Sequence, residues 1–520
     1  MLLFVSNIMA QIASGTCGGN LTWRLSAEGE LTIEGTGEMT STSWNSYSEQ
    51  ISTVTIGEGV TNIGDWYFAS YPNLTSVTIP ASVTIIRSCA FMNCSSLASV
   101  AIAENSQMAT IGGNAFKNCS NLTLFTLPAS VTTIGNDAFW GTGLISFTIP
   151  ENSQLTTIND WAFNGCAGLT TISFPASLTS IGHYAFNTCK FTSITCNALT
   201  PPSAGAAFPS TEASTLVYVP TESIDAYKAA DGWSRFTNWI IASGTCGDNL
   251  TWKLTDEGEL TIEGTGAMTD YSYGNWAPWY DYKESIVSIN IGEGVSTIAN
   301  QTFRDCTNLI AVTIPASVAT IGELAFYNCP SLATANMAED SQLESIGYNA
   351  FRGCKSLTDF AIPATVTNIG EHAFHGCEEL ASITIPVGMT TIETRAFQDC
   401  RKFNTITIPA GVTTIKDCAF SGCENLETIN FPENSQLIAI GTEAFYNCQK
   451  LGSVIIPASV TTMGEGVFKS CIGLISATIP AGVTTIEYET FESCSSLTNV
   501  VFPENSQLTT IGTEAFWSSG

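Results

Sequence analysis

The stretch NIGEHAFHGCEELASITIP, Asn368–Pro386, places His372 and His375 three apart and Cys377 two residues further on. Taken alone, that spacing suggests a metal site. Self-comparison answers otherwise, because the stretch recurs. With the Phe of "AF" as anchor, copies centre on Phe68, Phe91, Phe116, Phe139, Phe163 and Phe186, then on Phe303, Phe326, Phe351, Phe374, Phe397, Phe420, Phe445, Phe468, Phe491 and Phe516. The period is 23 residues, lengthened to 25 where "PASV" gives way to "ENSQL" or a relative, at 104–108, 339–343, 433–437 and 504–508. The same insertion at 151–155 coincides with a one-residue deletion and gives a spacing of 24.

The consensus unit, L-x-x-V-x-I-P-A-S-V-T-x-I-G-x-x-A-F-x-x-C, has parts with separate physical roles. "LTSVTIP" alternates apolar and hydroxyl residues and reads as a strand with one buried face. Pro80, Pro128 and Pro315 end it, since proline has no N–H for the next ladder bond. "VTTIG" reads as a second short extended segment, and "xxAFxxC" as a compact helical turn with Phe and Cys pointing inward. A unit this short cannot bury its own apolar face, so units must stack. The predicted fold is therefore a repeat solenoid of the leucine-rich-repeat type, with stacked parallel short strands and helical turns.

Of the 18 cysteines, 13 lie three residues after an anchor Phe, from Cys94 to Cys494. At the strand repeat of about 4.8 Å their Cβ atoms stand too far apart for the usual disulfide. Buried free thiols are expected. Cys17, Cys89, Cys196, Cys246 and Cys418 fall outside this rule, and pairing among them is left open. Cys377 belongs to the ladder, whereas His372 and His375 occupy variable positions expected to face solvent. A structural zinc needs a fourth ligand, and the third histidine, His183, is half a chain away. No metal or cofactor site is expected.

Acidic residues outnumber basic ones 46 to 17, for a formal charge of −29. Such a field repels phosphate backbones and anionic lipid, which excludes nucleic acid and polybasic membrane docking. The apolar stretch Leu2–Ala10 has the length of a signal-peptide core, although it lacks a basic start. No later segment approaches the ~18 apolar residues of a membrane span.

The segment at 14–40, SGTCGGNLTWRLSAEGELTIEGTGEMT, returns at 243–269 as SGTCGDNLTWKLTDEGELTIEGTGAMT. Each copy reads as a β-hairpin heading a solenoid and covering its first apolar edge. The expected organisation is a signal-peptide remnant (1–13), an N-terminal cap (14–50), a six-repeat solenoid (51–195), a C-terminal cap (196–241), a second N-terminal cap (242–285) and a ten-repeat solenoid (286–520). The last repeat stops short after Phe516, so the second module reads as cut short.

These residues resemble the BspA-like leucine-rich-repeat surface proteins of bacteria. The unit TIGxxAFxxCxxLTSVTIP carries the resemblance, supported by the head GTCGxNLTWxL and the tail VYVPxESxxAYKxxxGW, over about residues 14–520. It implies a secreted or surface-attached adhesin-like protein that binds proteins, host matrix and other bacterial surface proteins among them.

The outward strand positions, such as Ser76 and Thr78 or Ser382 and Thr384, form a hydroxyl carpet without general bases. Nucleophilic serines need a histidine in reach, and paired carboxylates must converge; Asp359 and Glu427 fall singly. No enzyme is expected. Aromatic residues instead mark the turn edge beside "AF": Trp66, Tyr67, Trp140, Trp161, Tyr184, Tyr327, Tyr348, Tyr446 and Tyr488, with His375 among them. Exposed aromatic rows serve interaction surfaces, although rings so placed also pack on one another along a stack. The strand face and this edge are the two candidate binding surfaces, for proteins or, as the alternative, for glycans.

Overall fold

Most rungs open with a short outer strand; those at 358–362 and 381–385 keep the alternating burial without forming one. In Ser76–Ile79, Val77 and Ile79 are buried and Thr78 is exposed, because strand side chains alternate between faces. Pro80 ends the strand, and the chain returns to lay Ile85–Ile86 in a second, inner ladder. Both ladders are parallel and in register, Ser76–Ile79 pairing with Ser99–Ile102 and Ile85–Ile86 with Thr110–Ile111.

The "AF" segment corrects the sequence reading, for it is not helical. Each of these turns holds two residues with positive φ, one two before the anchor and one two after it, as in Cys89 (58°) and Asn93 (62°) around Phe91. In a helix the N–H groups would bond within their own rung. Here they point along the stack: Cys89, Phe91 and Asn93 donate to the carbonyls of Gly113, Ala115 and Lys117 in the next rung, at 2.7–2.8 Å. That ladder holds even Trp66, His372 and Arg395 in the left-handed region, where a side chain costs about 1–3 kcal/mol without such support.

The anchors form a continuous stack of rings within each unit. Adjacent rings from Phe68 to Phe186 lie 5.1–5.3 Å apart and within 14° of parallel. From Phe303 to Phe516 the spacing is 5.0–5.7 Å. Trp44 and Trp279 begin the two stacks, each 5.6 Å from the first Phe. Phe208, inside the segment read as a C-terminal cap, continues the first stack at 5.5 Å from Phe186.

The thiols are free and buried, all 18 of them. Twelve of the 13 ladder thiols donate to the carbonyl of the preceding rung's anchor, for example Cys119 Sγ to Phe91 O at 3.1 Å and Cys377 Sγ to Phe351 O at 3.3 Å. Ser519 fills the same position and its hydroxyl makes the same bond, to Phe491 O at 2.6 Å. The position therefore selects a small donor, and sulfur adds apolar bulk.

The computed structural model describes residues 10–520, so the signal-peptide stretch before Ala10 lies outside the described residues. Two units divide the chain, one ending at Ile241 and the other spanning Ala242–Gly520. In the first, the strand Gln11–Gly18 pairs antiparallel with Asn20–Ser26, so the hairpin begins within the span 1–13. Glu30–Thr36 follows and pairs parallel with Thr53–Ile56, the first rung. Leu250–Thr255 and Glu259–Gly264 repeat that arrangement in the second unit, the latter strand pairing with Ser288–Ile291.

Burial pushes the thiols of Cys94 and Cys166 up to about 11 and that of Cys354 up to about 12, and only thiolates react readily. Native protein at pH 8 is therefore expected to leave all 18 cysteines unlabelled by maleimide within minutes, whereas urea-unfolded protein takes up 18 labels by mass spectrometry. Rapid labelling of ladder cysteines in the folded state would contradict the packing described.

Candidate interaction surfaces

His372 and His375 come together, and Cys377 does not join them. Their Nδ1 atoms lie 3.2 Å apart, while Cys377 Sγ turns inward to Phe351 O. Both rings are half-buried rather than turned to solvent, because rungs on either side cover them. Tyr348 meets His372 edge-on at 5.8 Å, and His375 Nε2 lies 3.5 Å from the Asp399 carboxylate. Among the described residues no group of three metal-ligating side chains converges.

The proposed edge aromatics separate into several settings. Trp140, Trp161 and Tyr184 stack on one another at 5.8 and 4.6 Å, and the Lys117 ammonium sits 4.0 Å over Trp140. Trp140 and Trp161 are thus half-buried between neighbours, whereas Tyr184 keeps 39% of its surface exposed. Tyr67 donates its hydroxyl to Met39 O, Tyr327 lies beneath the Arg304 guanidinium at 5.1 Å, and Tyr488 donates to Glu514. Tyr446 is half-buried, Tyr348 packs on His372 yet stays 41% exposed, as Tyr488 does at 40%, and Trp66 projects with 57% of its surface exposed.

A further aromatic group lies at the head of the second unit. Ser272 and Asn275 close a tight turn that presents Tyr273, 86% exposed, with Trp276 5.3 Å away and stacked in turn on Tyr280 at 4.4 Å. The signal for it is a length difference between the heads: three residues separate Thr40 from Trp44, but nine separate Thr269 from Trp279.

The strand face is open, and the hydroxyl carpet lies on it: Ser146 and Thr148, Ser382 and Thr384, and Thr405 and Thr407 all point outward and are exposed. The insertions divide this face. In the first unit the outer sheet stops at Ser99–Ile102, resumes as the pair Leu124–Thr126 and Ser146–Thr148, and stops again before Thr171–Phe174. These breaks follow the insertions at 104–108 and 151–155. The inner ladder stays in register across both, from Ile85–Ile86 through Thr110–Ile111 and Thr133–Ile134 to Thr157–Ile158. The added length must therefore be taken up on the outer side, where a longer coil cannot superpose on the next, shorter one. In the second unit the same break falls between Thr428–Asn430 and Ser453–Ile455, after the insertion at 433–437.

Each insertion is rigidly tied. Ser106 Oγ accepts from Met108 N, while Ser130 Oγ donates to the carbonyls of Ser106 and Met108; Ser435, Leu437 and Ser459 repeat part of this arrangement.

A groove lies at one break in each unit. The first, of about 610 Å³, runs between Ser99–Ile102 and Leu124–Thr126 and is rimmed by Glu104 and Asn152. The second, of about 880 Å³, lies at Thr428–Asn430 and Ser453–Ile455 and is rimmed by Glu433 and Asn505. Leu124 and Ile455, 60% and 74% exposed, replace the carpet's hydroxyls in the strand that follows each break. Among the lining residues of each groove one is charged, Glu104 in the first and Glu433 in the second.

Residues 40–155, 144–222, 279–404, 344–439 and 390–520 match the family described as BspA type leucine rich repeat region. The chain belongs to that family. No curated protein matches it. Among solved structures, a leucine-rich repeat protein from Bacteroides ovatus is 28% identical, covering 52% of this chain and 79% of its own, with a TM-score of 0.41. One from Eubacterium ventriosum is 20% identical over 98% of this chain and 95% of its own, with a TM-score of 0.27. A leucine rich cell surface protein from Faecalibacterium prausnitzii is 23% identical over 94% of each chain, with a TM-score of 0.25.

Burial, reinforced by His375, Arg352 and Arg395, pulls the His372 ring down to about 4. Between pH ~6.5 and about 4 the unfolded chain binds a proton there that the folded unit does not, so stability falls as pH drops through that window. In the variant His372→Asn, which keeps a residue suited to positive φ, the loss in urea midpoint between pH 7 and pH 4.5 is expected to be smaller than in the parent. An equal loss would contradict the burial of this ring.

Proposed function

We propose that this chain is a non-enzymatic, adhesin-like protein of the cell surface or the extracellular space that binds other proteins through the strand face of its solenoids. The observation that carries this reading is the pair of grooves, where exposed aliphatic residues, Leu124 in one and Ile455 and Val501 in the other, interrupt a largely hydroxylated face. Exposed apolar groups at concave sites are what protein recognition uses. The turn edge is the weaker candidate, since most of its rings are already engaged. The acid-rich surface adds solubility and opposes nucleic-acid binding. Among the described residues no helix is long and apolar enough to cross a membrane.

Family membership supports a surface role. Host matrix proteins and other bacterial surface proteins are the partner classes it suggests. A glycan-binding reading is favoured by one observation, the projecting Tyr273 beside Trp276, which leaves ring surface open for a sugar.

The test is saturable binding to an immobilised panel of matrix and bacterial surface proteins, alongside a glycan array. Binding to at least one protein is expected to weaken at least tenfold in the variant Leu124→Asp/Ile455→Asp and to be unchanged in Trp66→Ala. Binding that survives the first variant and is lost in the second would move the site to the turn edge. Glycan binding abolished by Tyr273→Ala, with no protein bound, would establish the alternative.

A further inference from the structure

We infer that the head of the second unit holds a site for one neutral pyranose residue of a glycan, with the apolar face of the sugar laid on the ring of Tyr273; this rests on the glycan reading above and is independent of the strand-face one. The segment that builds the site has no counterpart in the first unit. Nine residues separate Thr269 from Trp279, where three separate Thr40 from Trp44. The heads otherwise repeat one another, so the added residues supply something that capping a solenoid does not need.

The added segment is held rigidly. The Asp270 carboxylate accepts from Asn300 N, Tyr271 N donates to Asn300 O, and Trp279 Nε1 donates to Thr302 O, so three bonds tie it to the first rung of its own unit. Ser272 and Asn275 exchange both backbone bonds at 2.9 Å. Gly274, with φ at 86°, supplies the left-handed residue that a two-residue turn of this kind requires. Tyr273 is therefore projected from a fixed turn, 86% exposed, with Trp276 against it at 5.3 Å and 72°. Tyr280 stacks on Trp276 at 4.4 Å and backs it. A ring fixed in this way loses little freedom when a ligand settles on it.

The size of the open surface decides the class of ligand. A pyranose presents a face of C–H bonds about as large as one aromatic ring, and laying it on Tyr273 takes both surfaces out of water. A stable protein interface needs far more, about 800 Å² on each side. Around Tyr273 the turn offers exposed Ser272, Gly274 and Asn275 instead of further apolar surface. The Ser272 hydroxyl and the Asn275 amide both donate and accept, as sugar hydroxyls require.

Charge decides which sugars fit. The two cations beside the group are already engaged. The Arg304 guanidinium lies 5.7 Å from the centre of the Trp276 ring and 3.2 Å from the Asp305 carboxylate, and the Lys283 ammonium sits 4.3 Å over Tyr280. Asp270 and Asp281 flank the segment and are exposed, on a chain of formal charge −29. A uronic or sialic acid meets repulsion there without either cation free to pair with it, so the sugar is uncharged.

The experiment titrates the whole chain with cellotetraose, chitotetraose and tetragalacturonic acid, by calorimetry and by saturation-transfer NMR. At least one of the two neutral tetrasaccharides is expected to bind at least tenfold more tightly than the acidic one, with transfer strongest at ring C–H protons. Tyr273→Ala is expected to weaken that binding at least tenfold. Tyr273→Phe is expected to keep it, because the ring and not its hydroxyl makes the contact. Trp66→Ala, which removes an exposed ring of the first unit, leaves it unchanged.

Tighter binding of tetragalacturonic acid would overturn the inference, as would a panel protein whose binding Tyr273→Ala abolishes while no sugar binds. Neutral-sugar binding that survives Tyr273→Ala would overturn it too, and the glycan reading would then stand with its site elsewhere. If neither these sugars nor any glycan on the array binds, both fall, and the strand-face reading is decided by the protein panel alone.

Discussion

A rung of 23 residues has an apolar side that only another rung can cover, and the stack of phenylalanine rings is where that dependence is strongest. Each anchor ring from Phe68 to Phe186 and from Phe303 to Phe491 is fully buried because rings lie above and below it. Offset stacking of this kind adds about 0.5–1.5 kcal/mol per pair beyond the burial of area. The turn bonds run in the same direction, from the N–H groups of one rung to the carbonyls of the next, and the cysteine thiols return to the carbonyl of the rung before. Side-chain packing and backbone hydrogen bonding therefore reinforce the same contact. Neither could form in an isolated unit.

In the first unit, with the inner side fixed in this way, the changes in length are taken up on the outer side. The inner ladder passes through the insertions at 104–108 and 151–155 in register, and the outer sheet does not. A two-residue change in length is thus converted into a groove, without disturbing the core that holds the rungs together. A monotonous repeat thereby gains distinct surface features at the rungs where its outer ladder is interrupted. Leu124 and Ile455 then distinguish the grooves from the hydroxylated surface around them.

The period, the strand alternation, the inward Phe and Cys, and the proline stops were legible in the sequence, because each follows from local pattern and repetition. The shape of the "AF" turn was not. Asn93 and Gly353 suit positive φ, but Trp66, His372 and Arg395 carry no such preference and are held there by bonds to another rung. Phe208 escaped notice because its rung comes 22 residues after Phe186 and bears Thr211 where cysteine is usual. The histidine pair was placed in solvent because covering by neighbouring rungs depends on their side chains as well as on its own. Likewise the insertions were visible as length changes, whereas their consequence, a broken outer sheet, depends on how unequal coils superpose. The strand face was legible as a candidate surface; the grooves within it were not.

The central claim is that rungs are sheltered by their neighbours, and amide exchange on the variant Phe374→Ala tests it most directly. Removing a buried ring costs about 3–5 kcal/mol, and the account predicts that exchange quickens in the rungs anchored on Phe351 and Phe397 as well as in the altered one, while the rungs from Phe68 to Phe186 keep their protection. Faster exchange confined to the altered rung, with both neighbours unchanged, would contradict it.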